Sequence, residues 1–178
     1  PMRIERTPLV VLDPFNLADV KDRARITDSD SDFELTLLAK SAARELEQYA
    51  SIALLNQTIK VTLDEWGSDN WLALPVAPLV AGAPLTLTIG GTAVTAFNVV
   101  YGSRPAMRLT DTSIEGEVII SYTAGFGPTA TAIPQDLRQA IHDQVVAAYD
   151  LRGEAEAKGN GVSPHMARIA ARYRRVAL

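Results

Sequence analysis

The stretch Glu117-Val118-Ile119-Ile120-Ser121-Tyr122-Thr123-Ala124-Gly125-Phe126-Gly127 is followed by a Thr/Ala/Pro spacer, then by Ile133-Pro134-Gln135-Asp136-Leu137-Arg138-Gln139-Ala140-Ile141 and on to Tyr149. This stretch decides the fold. Val118, Ile119, Ile120 and Tyr122 are strand formers. Gly125 and Gly127 end the strand, since glycine takes positive φ without steric cost. Pro134 suits the first position of a helix, where no backbone N–H is required. Leu137, Ile141, Val145, Ala148 and Tyr149 then fall on one helical face. A sheet therefore hands the chain to an amphipathic helix, which predicts an α+β protein.

Working outward, the N-terminal side reads as helix. Residues 1–14 alternate apolar positions and contain two prolines, which predicts an arm or edge segment. Asn16 caps a short helix over Leu17–Arg25, with Leu17, Val20 and Ala24 inward. Asp28-Ser29-Asp30-Ser31-Asp32 is a turn, and its acids favour a helix start. A long helix is expected from about Ser31 to Ser51, burying Leu35, Leu38, Ala42, Leu46 and Tyr49.

Residues 56–127 change character. Thr58–Trp66 alternates as a strand, and Trp71–Leu74 is a second, ended by Pro75 and Pro78. Leu85–Ile89 leads into Gly90-Gly91, a hairpin signal, and Thr92–Val100 returns. Arg108-Leu109 and Gly116–Tyr122 complete a small antiparallel subdomain. The end is helical again, over Pro134 to about Ala157. Lys158–Gly161 reads as a hinge. Ser163 and Pro164 open a last helix carrying Met166, Ile169, Ala170 and Tyr173. The expected organisation is a helical bundle with an inserted antiparallel β subdomain. Residues 1–55 form the arm and first helices, 56–127 the insertion, 128–160 a C-terminal bundle helix and 161–178 a basic tail helix.

Composition narrows the functions. The 178 residues are 47% hydrophobic and 21% charged, enough for one core or a core with a subdomain. Cysteine is absent, which removes disulfides, zinc–thiolate sites and thiol nucleophiles. No apolar run approaches the roughly 20 residues of a membrane span. The polar start predicts no signal peptide and a cytoplasmic protein. Pro1 ahead of Met2 is expected to be a remnant of a cleaved tag.

Catalytic and metal-binding patterns fail one by one. Asp28, Asp30 and Asp32 open like a calcium loop, but Phe33 stands in the glycine position and Ala39 in that of the bidentate glutamate. A capping turn is the better reading. The two histidines, His142 and His165, lack metal-ligand spacing. Ser121 lies outside a Gly-x-Ser-x-Gly elbow. Gly125-Phe126-Gly127 lacks phosphate-loop spacing and a following lysine. No enzyme, cofactor or metal site is expected.

Charge is the remaining signal. Net charge is −4, yet the segment from Gly159 to Leu178 contains no acid and carries Arg168, Arg172, Arg174 and Arg175. Arg168, Arg172 and Arg175 share one helical face. Such a face fits either nucleic-acid phosphates or an acidic protein surface, as well as a plain solvated end.

Several phrases, in order, resemble the head–tail connector (adaptor) proteins of tailed bacteriophages. The resemblance is to the family related to the HK97 connector and its longer form with a β insertion, found in prophages and gene transfer agents. Leu17-Ala18-Asp19-Val20-Lys21 with Arg25-Ile26 is similar to the family's opening helix and turn. Asp32–Glu47 is similar to its second helix. Leu74-Pro75-Val76-Ala77-Pro78-Leu79 is similar to its Leu-Pro-x-x-Pro-Leu link. Tyr122–Gly127 with Ile133-Pro134, Leu137 and Gln139-Ala140-Ile141 is the strongest match, and Tyr173–Leu178 resembles the closing Tyr-Arg segment. Gly90–Asp111 matches no part of the pattern.

The resemblance implies a structural protein of a particle neck, assembled in the bacterial cytoplasm. Such a protein forms a ring on the portal vertex, usually twelve-fold, extends the DNA channel and docks the stopper or tail. It implies no membrane and no sequence-specific DNA contact; the alanine-rich, aromatic-poor core adds the expectation that the isolated chain is monomeric and the ring forms only on the portal. It also points to the C-terminal segment as the part that reaches the portal. Arg168, Arg172, Tyr173, Arg174 and Arg175 are the expected contacts. The alternatives are a stopper or tail-completion protein, a nucleic-acid-binding module and, last, a small enzyme.

Overall fold

The computed structural model describes residues 1–151 and 161–174. The fold is α+β, with four helices and two antiparallel sheets among the described residues. It divides into two compact units. One is a β unit of Pro1–Val11 and Leu55–Phe126, the other a helical unit of Leu12–Leu54 and Gly127–Leu178. Pro1–Val11 therefore belongs to the β unit and not, as expected, to the bundle. The cause is pairing: β1 (Met2–Pro8) runs antiparallel to β2 (Gln57–Leu63) over its whole length.

The β unit is built on β8 (Val118–Ala124), the strand of the deciding stretch. It pairs with β2 on one side and β4 (Thr86–Ile89) on the other. With β5 (Thr92–Ala93) the order is β1-β2-β8-β4-β5. Val118, Ile120, Tyr122 and Ala124 alternate into the core, as a period of two requires. Tyr122 is fully buried and its phenol is satisfied locally. The hydroxyl donates to the Val76 carbonyl at 3.1 Å and accepts from the Val76 N–H at 3.0 Å. Burial raises its pKa far above the ordinary phenol value, against the opposing effects of the Val76 bond and Arg6.

A second sheet, β3-β7-β6, is formed by β3 (Trp71–Ala73), β6 (Phe97–Val100) and β7 (Ala106–Leu109). Met107, Leu109, Leu74 and Val76 are buried. Leu79 makes isolated bridges to both Gly102 and Ala124, so the proline-rich link laces alongside the end of β8. The Gly90-Gly91 turn forms as expected, with both glycines at positive φ. The returning strand does not run to Val100. Pairing with β4 stops at Ala93, the chain bends at Thr95, and Phe97–Val100 joins the second sheet instead. Val94 is buried at this departure. Nothing in Thr92–Ala96 resembles a turn, so the break has no sequence signature.

Gly125 closes β8. Its φ is +146°, and a Cβ there would lie 2.7 Å from the Asn56 Cα and backbone nitrogen. The same Asn56 accepts the Leu9 N–H at 3.1 Å. The β unit thus gathers its three chain exits around one residue.

In the helical unit, Asn16 caps α1 (Leu17–Ala24) through the Ala18 N–H at 2.9 Å. Ser163 caps α4 (Pro164–Tyr173) through the Met166 N–H. Ser31 precedes α2 (Asp32–Ala50) but makes no cap bond; its hydroxyl bonds the Tyr149 hydroxyl of α3 (Gln135–Leu151) at 2.8 Å. The buried stripe of α2 is Leu35, Ala39, Ala42, Ala43, Leu46 and Ala50. Leu38 and Tyr49, both expected inside, lie at its margin and outside it, because the alanines carry the stripe and let helices approach closely. No helix of the described residues is long and apolar enough to cross a membrane.

Two substitutions probe this frame. Gly125→Ala is expected to cost roughly 2 kcal/mol or more, since both its φ and its contact with the Asn56 backbone oppose a side chain. Tyr122→Phe is expected to cost roughly 1–3 kcal/mol by orphaning the Val76 backbone pair. Urea denaturation of each variant measures both losses.

Candidate docking surface

The sequence predicts the C-terminal helix as a basic tail beyond a hinge. The structure makes α4 a member of the bundle. It runs antiparallel to α3 and also packs on α2. Met166, Ile169 and Ala170 are buried. Three polar clasps hold it along its length. At its start, Gln144 of α3 is buried and bidentate: its Nε2 donates to the Gly161 carbonyl at 3.2 Å, and its Oε1 accepts the Ser163 N–H at 2.8 Å. Two residues on, His165 Nδ1 lies 2.8 Å from Asp143 Oδ2, while Arg23 of α1 donates to Asp143 Oδ1 at 2.7 Å. At its end the Tyr173 hydroxyl donates to Asp136 at 2.8 Å. Burial and that bond push the Tyr173 pKa up to about 12.

The expected contact residues therefore separate. Arg168 and Arg172, one turn apart, are both exposed on the outward face of α4. Tyr173 points inward and anchors the helix. Arg174 is exposed, with its guanidinium 5.6 Å from the centre of the Tyr49 ring of α2. Arg175 and most of the Lys158–Gly161 hinge lie outside the described residues. The surface α4 presents is a short cationic strip on a fixed helix.

The residues that fix it escaped the sequence reading. Asp136, Asp143 and Gln144 occupy one flank of α3 at helical spacing, facing Tyr173, His165 and Ser163. The signal was present as polar residues beside an apolar stripe, but it resembles any solvated helix flank.

Both histidines meet at one place. A shallow polar cleft of about 480 Å³ is lined by Asp19, Asp22, Arg23, Gln139, His142, Asp143 and His165. Among the described residues no cluster of His, Asp or Glu can hold a metal ion. Arg23 and His165 each lie within 2.8 Å of an Asp143 oxygen, so the cleft acts as a clasp joining α1, α3 and α4. His142 is half-buried. Desolvation lowers its pKa, against the opposing pull of Asp19 and Asp143.

Three solved structures contain chains of this architecture. A chain in the neck of an empty gene transfer agent (GTA) particle, computed with C6 symmetry, has a TM-score of 0.76 and 27% identity, covering 99% of this chain and 97% of that one. A chain in the neck of a native GTA particle, computed with C12 symmetry, gives 0.71 and 27% over the same shares. A chain in the virion of a native GTA particle gives 0.75 and 26%, over 98% and 96%. No family model and no curated protein matches the sequence.

Two measurements test this geometry. Met166→Ala removes a buried anchor of α4 and is expected to cost about 2–5 kcal/mol, whereas Arg168→Ala at the surface is expected to stay within about 0.5 kcal/mol of the parent. His142 titrates lower in the folded chain than its unfolded value of about 6.5. Below that value the unfolded chain binds more protons, so stability is expected to fall as pH drops from about 7.5 to about 5.5. His142→Gln is expected to flatten that dependence in denaturant titrations at the two pH values.

Proposed function

We propose that this chain is a structural protein of the neck of a phage-like particle. In this reading it is an adaptor that forms a ring on the portal vertex, extends the DNA channel and docks the stopper or tail. The observation that carries the reading is the likeness to GTA neck chains at 26–27% identity along almost the entire length of both partners. A likeness that skips neither unit concerns the whole architecture and not a shared module. The C6 and C12 symmetry of the neck structures supports a ring of copies.

The chemistry of the surface agrees with this role. The job is done by shaped faces, and the described residues show paired charges in place of a reactive group. The net charge of −4 suits a channel wall that DNA traverses without being gripped. The cationic strip of α4 suits an acidic protein surface, where arginine pairs with carboxylates through two parallel hydrogen bonds. We assign that strip to the portal, with Arg168 and Arg172 as direct contacts and Arg174 beside them. Tyr173 acts as the anchor that orients them, and Arg175 continues the basic run. The chain is monomeric until the portal templates the ring, and it assembles in the bacterial cytoplasm.

The variant Arg168→Glu with Arg172→Glu reverses the strip without touching the packed face of α4. It is expected to keep its helical content and melting temperature while losing attachment to the portal, read as absent ring density when portal and protein are mixed and imaged by electron microscopy. Ring density equal to that of the parent would remove the assignment of the strip. Binding to a stopper or tail protein in place of the portal would move the chain to the next position in the neck.

A further inference from the structure

A ring of identical copies closes through heterologous contacts, so each copy carries two different surfaces that fit one another. Resting on the neck reading above, we infer that the β6–β7 turn of one copy, led by Arg104, docks into the cleft between Glu65 and Glu115 of the next.

The β unit is segregated by charge. Within Leu55–Phe126 every acid lies in one of two loops, Asp64, Glu65 and Asp69 in the first and Asp111, Glu115 and Glu117 in the second. The segment from Trp71 to Thr110 contains no acid, and its cations are Arg104 and Arg108.

Topology sends the two signs to opposite ends. In the second sheet Ala106 pairs with both Val100 and Ala73, so the turn Tyr101–Pro105 closes that end. Leu79 bridges Gly102 of this turn and Ala124, the last residue of β8. The acidic loops lie at the other end. One leaves β2 at Leu63 and the other enters β8 at Val118, and these two residues pair. The length of β8, 7 residues, separates the ends by roughly 20 Å. Ends of opposite sign on one rigid unit are what a head-to-tail contact requires.

The acidic end is concave. A cleft of about 550 Å³ is lined by both loops, with Glu65, Trp66 and Ser68 from the first and Glu115 from the second. Asp64 also lines it, but the Pro1 amine holds that carboxylate at 2.8 Å. Asp69 accepts the Trp71 N–H, and Asp111 accepts from Ser113. Glu65 and Glu115 are exposed and make no ion pair among the described residues. The wall holds a further unmet demand, because the Trp66 indole Nε1 is buried without a hydrogen-bond partner. Such a donor needs an acceptor, and the main-chain carbonyls of an inserted turn supply one.

The opposite end is exposed and cationic. Tyr101, Gly102, Ser103 and Arg104 are all exposed. Arg104 makes no ion pair among the described residues. Arg108 stands apart from the turn, over the Trp71 ring at 5.7 Å. Arginine and tyrosine are the side chains that anchor protein contacts, and a guanidinium between two carboxylates forms charge-assisted bonds. One open arginine is a poor match for DNA, whose binding sums many phosphate contacts. It matches a pair of carboxylates, and the cleft on the next copy presents that pair.

The chain has no cysteine, so introduced thiols report the contact directly. Ser103→Cys in the turn, Ser68→Cys in the cleft and the double variant, all full-length, are incorporated into particles. The purified particles are treated with a short bis-maleimide and the products separated under denaturing conditions. The double variant is expected to give a ladder extending beyond dimer, and each single variant only monomer. Dimers from a single variant, or only monomer from the double variant in particles that contain the chain, would overturn the inference and leave the neck reading in place. Particles lacking the chain altogether would overturn the neck reading and this inference with it. A charge swap is the second arm. Arg104→Glu is expected to lower incorporation about tenfold or more, as is Glu65→Arg with Glu115→Arg, each keeping the parent's melting temperature. Joining all three substitutions is expected to restore incorporation to within about threefold of the parent. Parent-level incorporation of Arg104→Glu would overturn the inference. A combined variant that does not recover would also overturn it, by assigning Arg104 to another partner, DNA included.

Discussion

The close approach of Gly125 to Asn56 is the constraint on which the rest depends. The strand Val118–Ala124 ends there, and only a residue without a side chain lets its backbone pass 2.7 Å from where a Cβ would stand. Asn56 in turn binds the Leu9 N–H, so the arm, the start of β2 and the end of β8 converge. A polypeptide that interrupts its helical unit with seventy-odd residues of sheet must leave and return at neighbouring points. Otherwise the inserted unit would impose a long loop with its entropy cost. Here the return is held by backbone contact. The pairing of β1 with β2 then adds the N-terminal arm to the same sheet, which is why the arm leaves the helices it precedes in sequence.

The helical unit solves a different problem. Its helices are alanine-rich, and an alanine stripe contributes little burial per residue. Close packing of backbones compensates, but the polar flanks must then be satisfied at short range. Asp143 shared between Arg23 and His165, Gln144 spanning Gly161 and Ser163, and Asp136 receiving Tyr173 are the result. A buried glutamine with an unpaired amide would cost more than it contributes. With both ends bonded it sets the register of α4 on α3. The cationic strip is therefore presented from a fixed helix, and little ordering entropy remains to be lost when it meets a partner.

The sequence was legible where a local rule had no competitor. Asn16 and Ser163 cap their helices, Gly90-Gly91 turns a hairpin, and Val118–Ala124 alternates inward because each follows from chemistry within a few residues. Legibility failed where a tertiary demand overrode local pattern. Phe97–Val100 reads as a continuation of Thr92, but its pairing partner is set by Met107 and its neighbours, far along the chain. Tyr49 looks like the last buried residue of α2 because aromatics outrank alanine in any hydrophobic count. The buried position falls instead on Ala50, one residue further round the helix. The arginines of the tail were visible as a basic face, whereas the inward turn of Tyr173 depended on a carboxylate of another helix.

Apolar and charged surfaces separate in a way that physical reasoning can connect to order of assembly. An arginine strip attracts its partner over a Debye length and is reversible in salt, so it suits first encounter with a template already in place. An exposed Phe33 and Leu37 gain nothing until a matching surface is near enough to exclude water, and then contribute roughly 25 cal/mol per Å² of apolar area removed from it. Small apolar patches gain little from associating by themselves. In the proposed neck role, copies held at high local concentration by a common template would meet repeatedly, and their contacts would become intramolecular in effect. A chain with strong apolar surfaces would form rings or filaments before reaching its template. In the proposed neck role, small apolar patches combined with long-range charge on α4 would make self-association depend on prior docking to the template.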